Sequence, residues 1–227
     1  MVSIEGVRII FKGPGRGHRV ELHHGNIAVK RGVGINLGEA EALRISETAG
    51  LPVPHVHAVG NSDGDKYIQM DFVPGQTLEQ VWEDMSGQEK QDIARQLGHI
   101  ITTMRSVPPP TQSICSCDDT GIRDSRAYQT TSPAVHDAFA AKLRITHRIV
   151  LSHCDLAPRN IIVRDGKVVV LIDWGDAGWY PEHWEYVKFF QRNFPGNDFW
   201  CYAAEIFPQL YQDELVDYIA LLTWQTP

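Results

Sequence analysis

The chain has 227 residues and a mass of 25.5 kDa, which exceeds a typical single domain and falls short of two full ones. Hydrophobic residues make up 43% and charged residues 22% of it, which excludes intrinsic disorder, collagen-like repeats and coiled coils. No apolar run approaches the roughly 18 to 20 residues of a membrane span, and no secretory leader is evident. We therefore expect one soluble, two-lobed unit in the cytoplasm, with its four cysteines reduced.

The net charge of −7 is unevenly distributed along the chain. Residues 171–227 hold nine acidic and two basic side chains, whereas acids and bases balance over residues 1–170. Nucleic acid is disfavoured as a partner, because phosphate backbones require clustered Lys and Arg. The acidic C-terminal part can attract a cationic ligand, or its carboxylates can simply hydrate helix surfaces.

The first third of the chain has the pattern of an antiparallel sheet. Residues 7–31 contain three β-branched segments separated by a glycine-rich turn and by HHGN, which predicts three strands. Asn36 can cap a helix over 38–48, and LPVP at 51–54 ends that helix. The segments HVHAV and KYIQMDFV flank an Asp-Gly turn, which predicts a further hairpin.

A change of pattern marks a lobe boundary after residue 73. Pro74 and Gly75 interrupt the strands, and the chain then has helical or irregular signals up to residue 150. Ser86 and Glu89 form a capping box, which predicts a helix over 87–105. We therefore predict an N-lobe over 1–73 and a C-lobe over 74–227.

The remaining signals complete an α+β fold. Ser132 and Pro133 predict the start of another helix. IIVRDGKVVVLI at 161–172 predicts two strands around an Asp-Gly turn, and three helices are expected over 181–222. Strands in the first part of the chain and helices in the later part predict a two-lobed fold, with a β-rich N-lobe and a mainly helical C-lobe.

The segment SHCDLAPRNIIV at 152–163, followed by LIDWG, has a spacing that suits phosphoryl transfer. Asp155 can accept or orient a hydroxyl proton, while Asn160 and Asp173 can supply the oxygen ligands that Mg²⁺ prefers. His153 is expected to brace the loop backbone rather than to catalyse. Alternatively, Asp155 and Asn160 are turn residues and Asp173 caps a strand end.

A lysine on the third predicted strand precedes two helix carboxylates. Lys30 lies in IAVKRG, and Glu39 and Glu41 lie in GEAEAL. A lysine held by a helix carboxylate can grip nucleotide phosphates, although such a pair alone is usually a surface ion pair. Glu39 is the expected partner of Lys30 because it precedes Leu43 by one helical turn, so that both side chains can face the sheet. Glu41 is the alternative.

Two further segments belong to the predicted nucleotide site. The glycine-rich GPGRG can present backbone N–H groups to phosphate at Gly15 and Gly17, or it can be a plain hairpin turn. Residues 69–73 are expected to form a hinge between the lobes. Its backbone groups, including those of Met70 and Phe72, are predicted to hold the edge of the nucleotide base.

These segments together resemble the aminoglycoside phosphotransferase family of protein-kinase-like folds, most closely its fungal small-molecule phosphotransferases. The resemblance spans about residues 27–190 and rests on VK, GEAEAL, LPVP, MDFVPGQTLEQVW, SHCDLAPRN and IDWGDAGWYPEHWEYVK. It implies that Asp155 is the catalytic base and that Asn160 and Asp173 are the metal ligands. It also implies that Lys30 is the lysine that contacts the nucleotide phosphates.

The chain departs from that family in several ways. Such enzymes usually have Gly where Cys154 stands, and the fungal branch often has Glu in place of Gly175. The chain is also short before Lys30 and in its helical lobe. These departures affect the acceptor pocket more than the nucleotide site.

The resemblance implies transfer of the γ-phosphoryl group from Mg²⁺-bound ATP or GTP to a hydroxyl of a small molecule. The acceptor is left open, because related enzymes act on aminoglycosides, choline, homoserine and sugars. Asp176, Glu182 and Glu185 would favour a cationic acceptor if they lie around the cleft. The alternatives are a kinase-like nucleotide-binding module without turnover and a metal-dependent hydrolase, for which no His-rich ligand spacing is present.

Overall fold

The computed structural model describes residues 7–13, 18–62, 64–118, 147–191 and 197–225, with only the backbone for 221–225. Gly15, Gly17 and the helix predicted from Ser132 and Pro133 lie outside these residues. The described chain has the predicted α+β fold, with a sheet-rich N-lobe and a mainly helical C-lobe. The lobe boundary at residue 73 stays a prediction.

The N-lobe is a five-stranded antiparallel sheet with the strand order β1-β2-β3-β5-β4 and one helix. Its central strand β3 places Lys30 between Val20 on β2 and Ile68 on β5. The predicted three-stranded start and the following hairpin are both confirmed. The bounds are β1 Arg8–Lys12, β2 Arg19–His23, β3 Ile27–Gly32, α1 Gly38–Thr48, β4 Val56–Ser62 and β5 Asp65–Asp71.

Side-chain and glycine signals set both ends of α1. The N-cap residue of α1 is Leu37 rather than the predicted Asn36, but the Asn36 side chain accepts a hydrogen bond from the N–H of Gly38 at 3.0 Å. It also donates to the carbonyl of Gly175 at 2.9 Å. At the other end Gly50 has a φ of +75° and the N–H of Leu51 returns to Ser46, which terminates the helix.

The C-lobe combines helices with two small sheets, β10-β9-β6 and β7-β11-β8. The strands β6 and β7 correct the expectation of only helical or irregular structure up to residue 150. Each has two residues, too few to show an alternating pattern, and forms only by pairing with β9 or β11. The bounds are β6 Gln76–Thr77, α2 Leu78–Val81, α3 Gly87–Ser106, β7 Cys115–Ser116, β8 Ile149–Ser152, β9 Ile161–Arg164, β10 Lys167–Leu171, β11 Gly178–Pro181, α4 Trp184–Gln191, α5 Ala203–Ile206 and α6 Gln212–Gln225.

Helix α3 is the centre of the C-lobe core. Ser86 and Glu89 form the predicted capping box, each side chain bonding to the backbone N–H of the other residue. The buried stripe of α3 packs against β8, β10 and α5 and consists of Ile93, Ala94, Leu97, Ile101 and Met104. Within the described residues no helix is both long and apolar enough to cross a membrane.

We expect Gly98→Ala to destabilise the protein, although alanine favours helices. A Cβ at this position would lie 2.7 Å from the backbone oxygen of Glu205, because α5 crosses α3 there. Overpacking of this kind typically costs about 1 to 3 kcal/mol, which exceeds the gain of up to about 1 kcal/mol in helix propensity. Gly87→Ala on the same helix is the control, since no atom lies within 4 Å of its Cβ. Equal melting temperatures for the two variants would contradict this packing argument.

Candidate active site

A cleft of about 400 Å³ lies between the N-lobe sheet and the β9–β10 hairpin of the C-lobe. Apolar side chains from both lobes line most of it, including Val20, Ala28, Met70, Phe72, Ile162, Val170 and Ile172. Its polar end carries His18, Lys30, Glu39, Arg159, Asn160 and Asp173. A mostly apolar cleft with one cluster of polar groups is the usual form of a small-ligand site.

Lys30 is held at the polar end by two carboxylates. Its Nζ donates to both oxygens of Glu39 at 2.9 and 2.7 Å and to Asp173 Oδ1 at 2.7 Å. Glu39 is buried, whereas Glu41 lies on the exposed side of α1 beside Arg44. The predicted pairing of Lys30 with Glu39 is therefore confirmed, and the alternative Glu41 is wrong.

Charge pairing keeps Lys30 and Asp173 ionised. Burial alone would lower the pKa of Lys30, but Glu39 and Asp173 outweigh it and raise this pKa above its usual value. Burial likewise opposes ionisation of Asp173, yet the Lys30 ammonium holds the pKa of this carboxyl below its usual range. The cleft therefore contains a lysine cation and an aspartate anion at neutral pH.

His153 braces the loop between β8 and β9, as predicted. Its Nδ1 accepts the N–H of Asp155 at 3.2 Å, so its Nε2 carries the proton that is donated to the carbonyl of Ile172 at 3.0 Å. The ring also packs edge-on against buried Trp174, with 4.6 Å between the ring centroids. Both nitrogens are engaged with backbone, which leaves neither as a metal ligand.

Glu185 stabilises the same loop through hydrogen bonds to its backbone. This buried carboxylate on α4 accepts the N–H groups of His153 at 2.6 Å and Cys154 at 3.0 Å through Oε2. Cys154 has a φ of +67°, a left-handed conformation that suits the glycine usual in the resembled family and costs a non-glycine residue energy. Glu185 therefore stabilises a backbone turn that the local sequence disfavours.

We expect Glu185→Ala to lower the free energy of unfolding by about 2 to 4 kcal/mol, because two buried N–H groups lose their acceptor. Urea denaturation of this variant is compared with Glu205→Ala, which removes an exposed glutamate. The control should change stability by less than about 0.5 kcal/mol. A loss as small as the control's would show that Glu185 does not support the loop.

Asp155 is buried beside the cleft and is held by two residues that line it. Arg159 Nη2 donates to its two oxygens at 2.6 and 2.8 Å, and Asn160 Nδ2 donates to Oδ2 at 3.0 Å. The sequence interpretation missed Arg159. The available signal was its position four residues after Asp155, which a short helical turn over Pro158–Asn160 brings to the same side.

Asn160 and Asp173 are brought together by the β9–β10 hairpin. Leu171 pairs with Ile161, and the N–H of Ile172 donates to the carbonyl of Asn160 at 3.0 Å. The Asn160 amide nitrogen is committed to Asp155, which leaves its oxygen for another ligand. An amide oxygen beside a carboxylate fits Mg²⁺, and these two residues are the group that could hold it. Among the described residues no cluster of three His, Cys, Asp or Glu side chains could hold a metal.

The predicted hinge borders the apolar end of the cleft. Met70 and Phe72 both line the cleft. The N–H of Asp71 is bonded to the carbonyl of His55 at 3.0 Å, and the N–H of Phe72 to that of Asn26 at 2.7 Å. These two amides are therefore engaged within the N-lobe, so Phe72 offers the cleft its side chain rather than its N–H.

None of the three carboxylates considered for the acceptor site lines the cleft. Glu185 lies beneath the loop, and Glu182 is paired with Arg148 at 3.0 Å and with His147 at 3.7 Å. The condition under which these acids would favour a cationic acceptor is therefore not met by Glu182 and Glu185, because fold-stabilising contacts use them.

The model of the phosphotransferase enzyme family matches residues 36–220 of this chain. The chain belongs to that family, and it is a phosphotransferase of the class that uses an alcohol group as acceptor. A search of curated proteins finds no match. The match covers α1, the loop between β8 and β9, the β9–β10 hairpin and most of the C-terminal helices.

Solved aminoglycoside phosphotransferases share the fold of this chain. A thermostable mutant of APH(4)-Ia, in a ternary complex with AMP-PNP and hygromycin B, is 16% identical and has a TM-score of 0.59 over 98% of this chain and 91% of its own. APH(2")-IIa in a complex with streptomycin and ATP is 17% identical, with a TM-score of 0.64 over 98% and 83%. ADP-bound APH(2'')-Ib is 15% identical, with a TM-score of 0.63 over 98% and 82%. At this identity the likeness shows a common protein-kinase-like fold.

Proposed function

We propose that the protein transfers the γ-phosphoryl group of ATP to a hydroxyl of a small molecule. The observation that carries this proposal is the convergence at one cleft of the Lys30–Glu39 pair, Asp173 and Asn160, with Asp155 bonded to Asn160 beside it. Lysine, aspartate and asparagine in this arrangement are the groups that phosphoryl transfer requires.

Each group has a distinct part in the proposed reaction. Asp155 binds the acceptor hydroxyl and takes its proton while the acceptor oxygen bonds to the γ-phosphorus and the bond to the β,γ-bridging oxygen breaks. Lys30, fixed by Glu39, holds the phosphates of the nucleotide. Asn160 and Asp173 would hold Mg²⁺, which supplies neutralisation of phosphate charge when bound. Met70 and Phe72 pack against the adenine base of the nucleotide.

The nucleotide and the acceptor are proposed from different observations. ATP, AMP-PNP or ADP is bound in the solved structures that share this fold, which supports an adenine nucleotide. Solved structures with this fold also bind hygromycin B, streptomycin or gentamicin, which supports a hydroxyl compound as acceptor. Because these antibiotics bear amines, a cationic acceptor is the first class to test. Gly15 and Gly17 are proposed to contact the phosphates.

Two measurements test this function in order. Thermal unfolding with ATP, ADP or GTP, each with and without Mg²⁺, first identifies the nucleotide, because a ligand that binds the native state raises the melting temperature. A metabolite library incubated with protein and ATP is then analysed by mass spectrometry. A compound heavier by one phosphoryl group names the acceptor.

The outcomes separate the proposed kinase from its alternatives. Stabilisation by ATP without a phosphorylated product from an acceptor panel would favour a nucleotide-binding module without turnover. Absence of stabilisation by any nucleotide would reject the proposed function. The panel should pair amine-bearing alcohols with neutral sugars of similar size, because a preference for neutral compounds without a salt effect would reject a cationic acceptor.

A further inference from the structure

Arg159 both contacts Asp155 and lines the cleft. Its guanidinium lies against Asp155 through Nη2, while the residue also lines the cleft that contains Lys30 and Asp173. The side chain is 32% exposed, so it is reachable from the cleft. No part of the proposed reaction yet uses this cation.

Lys30 and Arg159 differ in the number of N–H donors that remain available for a ligand. All three N–H groups of the Lys30 ammonium are matched by three short contacts to Glu39 and Asp173. Arg159 uses only Nη2 for Asp155, and among the described residues its Nε and Nη1 have no partner. Three N–H donors of its planar and permanently charged guanidinium group therefore remain for a ligand.

The backbone holds Arg159 in this place. Pro158 opens the short helical turn Pro158–Asn160, in which the N–H of Asn160 bonds to the carbonyl of Ala157 at 2.8 Å. Arg159 thus immediately precedes the residue proposed as a metal ligand. An anion that reaches both Lys30 and Asn160 would enter the surroundings of Arg159.

We propose that Arg159 is a second phosphate-binding residue, which contacts the γ-phosphoryl group and keeps it apart from the Asp155 carboxylate. The inference rests on the proposed kinase function. In the transfer step the acceptor oxygen bonds to the γ-phosphorus, the bridging bond to ADP breaks, and the hydroxyl proton passes to Asp155. Arg159 keeps its charge throughout and lies between two anions that would otherwise repel each other.

The test compares ATP with ADP, since only ATP carries the γ-phosphoryl group. Calorimetry with Mg²⁺ gives both dissociation constants for the unsubstituted protein and for Arg159→Met, Arg159→Gln and Arg164→Met. Arg164 is the control because it is exposed on β9 and contacts only the carbonyl of Pro74, at 3.4 Å. Ligand-free melting temperatures confirm that each variant is folded.

We expect both Arg159 variants to bind ATP about 10- to 100-fold more weakly, as the loss of a charge-assisted hydrogen bond predicts. Their affinity for ADP should stay within about twofold, and Arg164→Met should change neither constant. Equal losses for ATP and ADP, or unchanged ATP affinity in either folded variant, would overturn the inference while leaving the proposed function in place. Failure of the unsubstituted protein to bind either nucleotide would reject the proposed function and the inference with it.

Discussion

Asp155→Asn should reduce phosphoryl transfer by about 10²-fold or more, the effect typical of removing a general base. The amide preserves the shape of the side chain but cannot take the proton of the acceptor hydroxyl. Affinity for the nucleotide should remain close to that of the unsubstituted protein, because Lys30, Asn160 and Asp173 are retained. Steady-state rates with the identified acceptor, together with calorimetry for ATP, measure the two effects separately.

The matched control is Asp165→Asn in the exposed turn between β9 and β10. Asp165 has a φ of +51°, which asparagine tolerates, so the control makes the same chemical change without backbone strain. Its rate should be unchanged. Because the amide introduced by Asp155→Asn would offer Arg159 and Asn160 one oxygen instead of two, the melting temperature of that variant must also be compared. Full turnover by a folded Asp155→Asn protein would remove Asp155 from the mechanism.

Asp173→Asn should abolish the part of ATP binding that depends on Mg²⁺, because the proposed metal pair would lose its only carboxylate. Asparagine is preferred to alanine, since residue 173 has a φ of +65° and asparagine adopts this left-handed conformation more readily. The substitution also removes one of the two anionic partners of Lys30. Calorimetry with ATP in the presence and absence of Mg²⁺ measures the effect.

In the unsubstituted protein Mg²⁺ should strengthen ATP binding, whereas in Asp173→Asn the two measurements should coincide. Asp165→Asn serves again as the control and should keep the full Mg²⁺ dependence. The same Mg²⁺ dependence in Asp173→Asn as in the unsubstituted protein would contradict the assignment of Asp173 to the metal. It would leave the Lys30–Glu39 pair and the fold unaffected.

Local signals in the sequence were sufficient to predict most of the N-lobe. Gly25 and Asn26, with φ values of +77° and +57°, form the turn before β3, and Asp165 with Gly166 forms the turn before β10. These residue types tolerate left-handed conformations, so the turn and the pairing of its two strands follow from a few adjacent residues. The Lys30–Glu39 pair was also predictable, because a strand and the next helix with a short connection are neighbours.

The motif around Asp155 was predictable for a similar reason. Asn160 lies five residues away, and a tight hairpin returns Asp173 to it, so all three are placed by one continuous segment. The chemistry of these residue types then predicts phosphate and metal binding. The contacts of the segment place these residues together, and their binding of phosphate and metal stays a prediction.

Only the tertiary structure decided how Glu185 and Glu182 are used. In sequence, Glu185 and Glu182 are two acids of an acidic segment, yet one supports the left-handed turn at Cys154 and the other pairs with Arg148. Composition sums charges along the chain, whereas the field in a cleft depends on which carboxylates face it and which are neutralised by partners. Those partners lie more than 30 residues away, and folding alone brings them together.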